Sequence, residues 1–63
     1  MDERVLDLLT SYPNATSRWR YVSDARGYTH SILLVECDGI IVAMLTAQAA
    51  VQARDALERR WTT

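Results

Sequence analysis

The stretch Tyr28-Thr29-His30-Ser31-Ile32-Leu33-Leu34-Val35-Glu36-Cys37-Asp38-Gly39-Ile40-Ile41-Val42-Ala43-Met44-Leu45 decides the fold. Two runs rich in Ile, Leu and Val flank a central Asp-Gly pair. That pair between apolar runs marks a two-residue hairpin turn, because both central positions need a left-handed backbone. One strand is therefore expected from Tyr28 to Glu36 and another from Ile40 to Leu45. Immediately upstream, Asp24-Ala25-Arg26-Gly27 reads as a second turn, with Gly27 suited to the left-handed position of a bulged hairpin. Before it, Arg18 to Ser23 alternates Trp19 and Tyr21 with Arg18, Arg20 and Val22, the period of a strand. Three strands joined by two tight turns make an antiparallel meander.

Helical patterns flank the meander. Val5, Leu8, Leu9 and Tyr12 recur at helical spacing within residues 2–12, Leu6 widens the stripe, and Pro13 stops it. Asp2 and Glu3 suit the positive end of that helix. Asn14 to Ser17 is a polar connector. From about Thr46, Ala49, Ala50, Ala53, Ala56, Leu57 and Trp61 fall on one broad arc, with Gln48, Gln52, Asp55 and Arg59 opposite. Trp61 is expected to plug the end of the core. The fold class is thus α+β, a single small α-β-β-β-α domain over residues 1–63 with a three-stranded antiparallel meander flanked by two helices.

Composition narrows the function classes. At 63 residues there is room for one domain only, and the single Cys37 closes no disulfide within the chain. Hydrophobic residues make up 49% and charged residues 24%, a globular balance. The net charge of -1 argues against indiscriminate polyanion binding. All seven basic residues are arginine, a bias that codon usage in a GC-rich genome produces without any site. The acidic start Met1-Asp2-Glu3 and the short apolar runs fit neither a secretory signal nor a membrane span, so a cytoplasmic location is expected. Asn14-Ala15-Thr16 matches the glycosylation triplet, which has no meaning in that compartment.

The turns also assign the two sheet faces. Trp19, Tyr21, Leu33, Val35, Val42 and Met44 are expected on one. Val22, Ile32, Leu34, Ile41, Ala43 and Leu45 are expected on the other, among Arg18, Arg20, His30 and Glu36. Short connections let both helices pack on the first face, where the aromatic residues supply bulky anchors. Val22, Ile32, Leu34, Ile41 and Ala43 then form an exposed patch, the expected interface with a second copy or a larger protein. The alternative is one helix on each face and a monomer. Arg18 is placed to pair diagonally with Glu36 across the strands.

Enzyme chemistry finds little support. His30 and Cys37 are seven residues apart on one strand, so an odd spacing sends them to opposite faces, roughly 23 Å apart at 3.3 Å per residue. Carboxylates beside Cys37 raise a thiol pKa rather than lower it. Glu36 and Asp38 alone make a poor metal site, and the two glycines form no phosphate loop. No catalytic residue, cofactor or metal is expected.

Gly27-Tyr28-Thr29-His30 is similar to the Gly-Pro-x-His turn of double-stranded RNA-binding domains, and Ala56-Leu57 matches the Ala-Leu late in that family's last helix. The helix-meander-helix order resembles that family over nearly the whole chain. The resemblance implies RNA binding with His30 as a contact. This sequence has Tyr28 in place of the turn proline and no basic residue from Thr46 to Ala49, where the family carries lysines. The hairpin running into an Ala-rich helix also resembles the second half of roadblock-type dimerisation domains. Two functions follow as expectations. The first is a non-enzymatic protein-interaction module, homodimeric through one sheet face, of the kind found among accessory or inhibitory factors of phages and mobile elements. The second is a small nucleic-acid-binding module using Arg18, Arg20 and Arg26.

Overall fold

A computed structural model describes residues 1–62. The elements run α1 (Glu3–Ser11), β1 (Thr16–Ser23), β2 (Thr29–Cys37), β3 (Ile40–Leu45) and α2 (Ala47–Thr62), and the sheet order is β1-β2-β3. The helix, three-stranded antiparallel meander, helix order is the one the sequence predicts.

Local chemistry explains each boundary. Asp2 caps α1, its side chain accepting a hydrogen bond from the Arg4 amide, and the chain leaves the helix at Tyr12, just before Pro13. In the β1–β2 turn the Gly27 amide donates to the Asp24 carbonyl, and Gly27 takes a φ of 84°. Asp38 and Gly39 both have positive φ, 54° and 79°, the conformation a two-residue hairpin needs to match the twist of its strands.

Both helices lie on one face of the sheet. Val5, Ala15, Leu33, Val35, Ala50, Ala53 and Leu57 form one buried cluster, with Leu8, Leu9, Tyr12, Val42, Ala43, Leu45 and Ala49 packed around it. Ala50 and Ala53 bring α2 down onto β1 and β2. Polar side chains of α2 then tie it to the rest of the chain. Arg60 donates to the carbonyls of Leu9, Tyr12 and Pro13 at 3.0, 3.1 and 3.1 Å, and so covers the electronegative end of α1. Trp61 Nε1 donates to the Ala15 carbonyl at 2.8 Å, and the Asp2 amide donates to Gln52 Oε1 at 2.9 Å.

Three expectations about the faces need correction. β3 carries a bulge, a register shift beside Val35 and Glu36, so Val35 pairs with Ala43, Leu33 with Leu45 and Leu34 with Met44. Ala43 and Leu45 therefore stand on the helix side and Met44 on the open side, the reverse of strict alternation. Trp19 and Tyr21 are not core anchors: Tyr21 is exposed and Trp19 is 37% exposed, because the β1–β2 hairpin runs on past the helices. Trp61 is exposed as well and acts through its hydrogen bond rather than as a plug.

The chain passes from β3 into α2 through Thr46 alone, and Ala47 absorbs the change of direction at a φ of 52°. A residue with a Cβ is strained in that region by roughly 1–2 kcal/mol. Ala47→Gly is therefore expected to stabilise the fold by about 1 kcal/mol after the added chain entropy of glycine is set against that relief. Urea unfolding of the two proteins measures the difference.

Candidate interaction surface

The face of the sheet opposite the helices carries, by register, Thr16, Arg18, Arg20 and Val22 from β1, His30, Ile32, Leu34 and Glu36 from β2, and Ile41 and Met44 from β3. Its apolar residues are unequally exposed. Leu34 is only 3% exposed although no helix lies over it. It sits in the middle strand, with Arg18 opposite on one side and Met44 on the other. Val22 and Ile32 are half-buried. Met44 at 69% and Ile41 at 47% are open, so the exposed apolar surface lies along the β3 margin. Ile40, in the adjoining turn-end position, is also exposed. The expected patch of Val22, Ile32, Leu34, Ile41 and Ala43 is thereby redrawn. Leu34 is buried within the chain, Ala43 is on the other face, and Met44 takes its place.

A polar rim borders the β1 side. Arg18 Nε donates to Glu36 Oε1 at 2.6 Å, the diagonal pair expected from the sequence. His30 Nε2 lies 2.9 Å from Asp24 Oδ2, and Asp24 Oδ1 accepts from the amides of Arg26 and Tyr28. The contact with His30, helped by those two amides, holds the Asp24 carboxyl below its ordinary pKa. The guanidinium groups of Arg20 and Arg26 enter no ion pair among the described residues. The aromatic Trp19 and Tyr21 face the helix side, away from Arg18 and Arg20.

Elsewhere the chemistry-bearing groups stand apart. His30 and Cys37 occupy opposite ends of β2. Partial burial, followed by the charge and hydrogen bond of Asp38, pushes the Cys37 thiol up. No three His, Cys, Asp or Glu side chains gather as metal ligands would among the described residues. No helix among those residues is long and apolar enough to cross a membrane. A shallow groove of about 310 Å³ lies between α2 and the start of β1, lined by Ser17, Arg54, Leu57, Glu58 and Trp61. Its arginine is engaged by the chain itself, Nη1 donating to the Ser17 carbonyl at 2.7 Å and Nε to Glu58 Oε1 at 2.9 Å. Neither this contact nor the reach of Arg60 to α1 is visible in the residue pattern, since both arginines occupy ordinary charged positions on a helix surface.

No family model, curated protein or solved structure matches this chain. The likeness to double-stranded RNA-binding domains therefore stands on element order and on Gly27, His30, Ala56 and Leu57 alone.

Two outcomes check the electrostatics. Because folding lowers the pKa of Asp24, its stabilising effect is present above the ordinary aspartate range and fades as pH falls through the folded value. Asp24→Asn, which keeps an acceptor for the turn amides, is expected to flatten the acid side of the stability-pH curve obtained by thermal unfolding. The raised thiol of Cys37 has less thiolate at neutral pH, so iodoacetamide is expected to alkylate it more slowly than a free cysteine peptide. Mass spectrometry against time gives the rate.

Proposed function

We propose that the chain is a small non-enzymatic protein-interaction module that works as a homodimer through the exposed β3 margin of its open sheet face. The observation that carries this reading is the position of Met44 and Ile41. They are exposed side by side on a face that both helices leave bare. Contiguous exposed apolar residues of this kind mark contact sites in small proteins, and a two-fold dimer is the commonest assembly of identical chains. Energetics point the same way. The buried set includes Ala15, Ala50 and Ala53, and a core of this size seldom supplies more than ~3–5 kcal/mol. Burial against a second chain adds the apolar contact that a disulfide-free domain of this length lacks. Arg18, Arg20 and His30 lie on the same face away from that margin, and Glu36 stands beside Ile41.

Nucleic-acid binding is the second reading, supported by Arg20 and Arg26, which flank the β1–β2 turn and enter no ion pair among the described residues. A hairpin of two strands is narrow enough to enter a major groove.

Light scattering separates these functions. The unsubstituted protein is expected at twice the 7.2 kDa chain mass and Met44→Asp at the chain mass, with circular dichroism unchanged because Met44 is exposed. A chain-mass particle at every concentration would remove the homodimer. Gel shifts with duplex RNA and DNA at low ionic strength test the second reading. There a salt-sensitive complex weakened by Arg20→Ala with Arg26→Ala is the outcome that favours it.

A further inference from the structure

In a regular strand the alternation of faces is symmetric about a residue, and the bulge moves that centre in β3 to the bond between Val42 and Ala43. Each of its residues can be placed on a face from its partner on β2. Ile40 stands opposite Cys37, Ala43 opposite Val35 and Leu45 opposite Leu33, all on the helix side. Val42, the extra residue of the bulge, packs against the core from that same side. Ile41, opposite Glu36, and Met44, opposite Leu34, are on the open side. From Ile40 to Leu45 the order is helix side, open, helix side, helix side, open, helix side. It reads the same backwards.

That symmetry matters for self-association. In an antiparallel pair, residues directly opposite each other share a face. A two-fold axis perpendicular to the sheet sets a strand against its own reversed sequence. A regular strand of six residues alternates, so centring such an axis between its middle residues sets every residue against one of the other face. The bulged β3 meets the condition at all of its six positions.

We infer that β3 is the homodimer seam: a second copy adds its β3 antiparallel about a two-fold axis between Val42 and Ala43, forming one continuous six-stranded sheet. This rests on the homodimer proposed above and specifies how the β3 margin is covered. In this register Ile41 lies against Met44 of the partner subunit and Ile40 against Leu45 of the partner subunit. The two open side chains of the strand thus meet each other across the axis. β3 is an outer strand with β2 on one side only, and apart from its bulge it has none of the usual protections of an edge, carrying neither a charged residue nor a proline. The other edge, β1, carries Arg18 and Arg20. The seam leaves those charges at the two far margins of the joined sheet, where like charges do not oppose one another.

Oxidative cross-linking tests the register. In a Cys37→Ser background, Ile41→Cys combined with Met44→Cys is expected to give a covalent dimer on a non-reducing gel, while either substitution alone gives much less. Within one chain the two positions stand opposite Leu34 and Glu36, roughly 7 Å apart and at the limit of disulfide reach, and any bond within a chain runs at the chain mass on the gel. A dimer in which the double variant fails to cross-link, or in which the single variants cross-link equally well, overturns the seam and leaves the homodimer standing. A chain-mass particle by light scattering overturns both. Isotope-filtered NOE spectra of a mixed-label sample provide a check without substitutions. Contacts between Ile41 of one copy and Met44 of the partner subunit support the seam, and their absence in a dimer refutes it.

Discussion

Ala50 and Ala53 lie where α2 crosses β1 and β2, and both are buried to 1% exposure or less. With no side chain beyond Cβ, they let the helix backbone come down onto Leu33 and Val35, and the rest of the molecule is arranged around that approach. α1 completes the same layer by adding Val5 to the cluster. Both helices can share one face because α2 occupies so little depth. The opposite face is left bare as a direct result. A bulkier helix surface would stand further from the sheet and leave voids between Leu33 and the α1 side chains, a cost that a core this small has no margin to absorb.

Polar contacts hold this arrangement in register. Apolar packing of small residues is weakly directional, so a helix surfaced with alanine can slide. Arg54 on the Ser17 carbonyl, Arg60 on the end of α1 and Trp61 on the Ala15 carbonyl fix its position at three backbone points. These carbonyls belong to the segment around the α1–β1 connector. Arginine suits the task because its planar fork reaches several acceptors at once. The arginine bias of the sequence, whatever its origin, has therefore been drawn into the fold.

The strand order, the two turns and the apolar arc of α2 were legible because each rests on local chemistry: Asp38-Gly39, Gly27, Pro13 and the spacing of the alanines. The faces of β3 were not. Ile40 to Leu45 is apolar throughout, so no polar residue marks which way the side chains point, and a bulge leaves no trace in such a run. The consequence spread to the candidate site, exchanging Ala43 for Met44. Trp19 and Tyr21 misled for a different reason. Alternation correctly placed them on the helix face, but how far the helices extend over a hairpin is a tertiary quantity. Leu34 was assigned to the open face correctly and yet is buried, at a position in the middle strand paired on both sides.

Arg60 has a further consequence that concerns time rather than geometry. Synthesis proceeds from α1 towards α2, so the carbonyls of Leu9, Tyr12 and Pro13 are made long before the side chain that caps them. The meander can form as it leaves the ribosome, since its contacts are local, but the cluster of Val5, Leu33 and Val35 lacks Ala50, Ala53 and Leu57 until α2 follows. Completion of the core is therefore a late event, occurring only once the residues around Arg60 have cleared the exit tunnel.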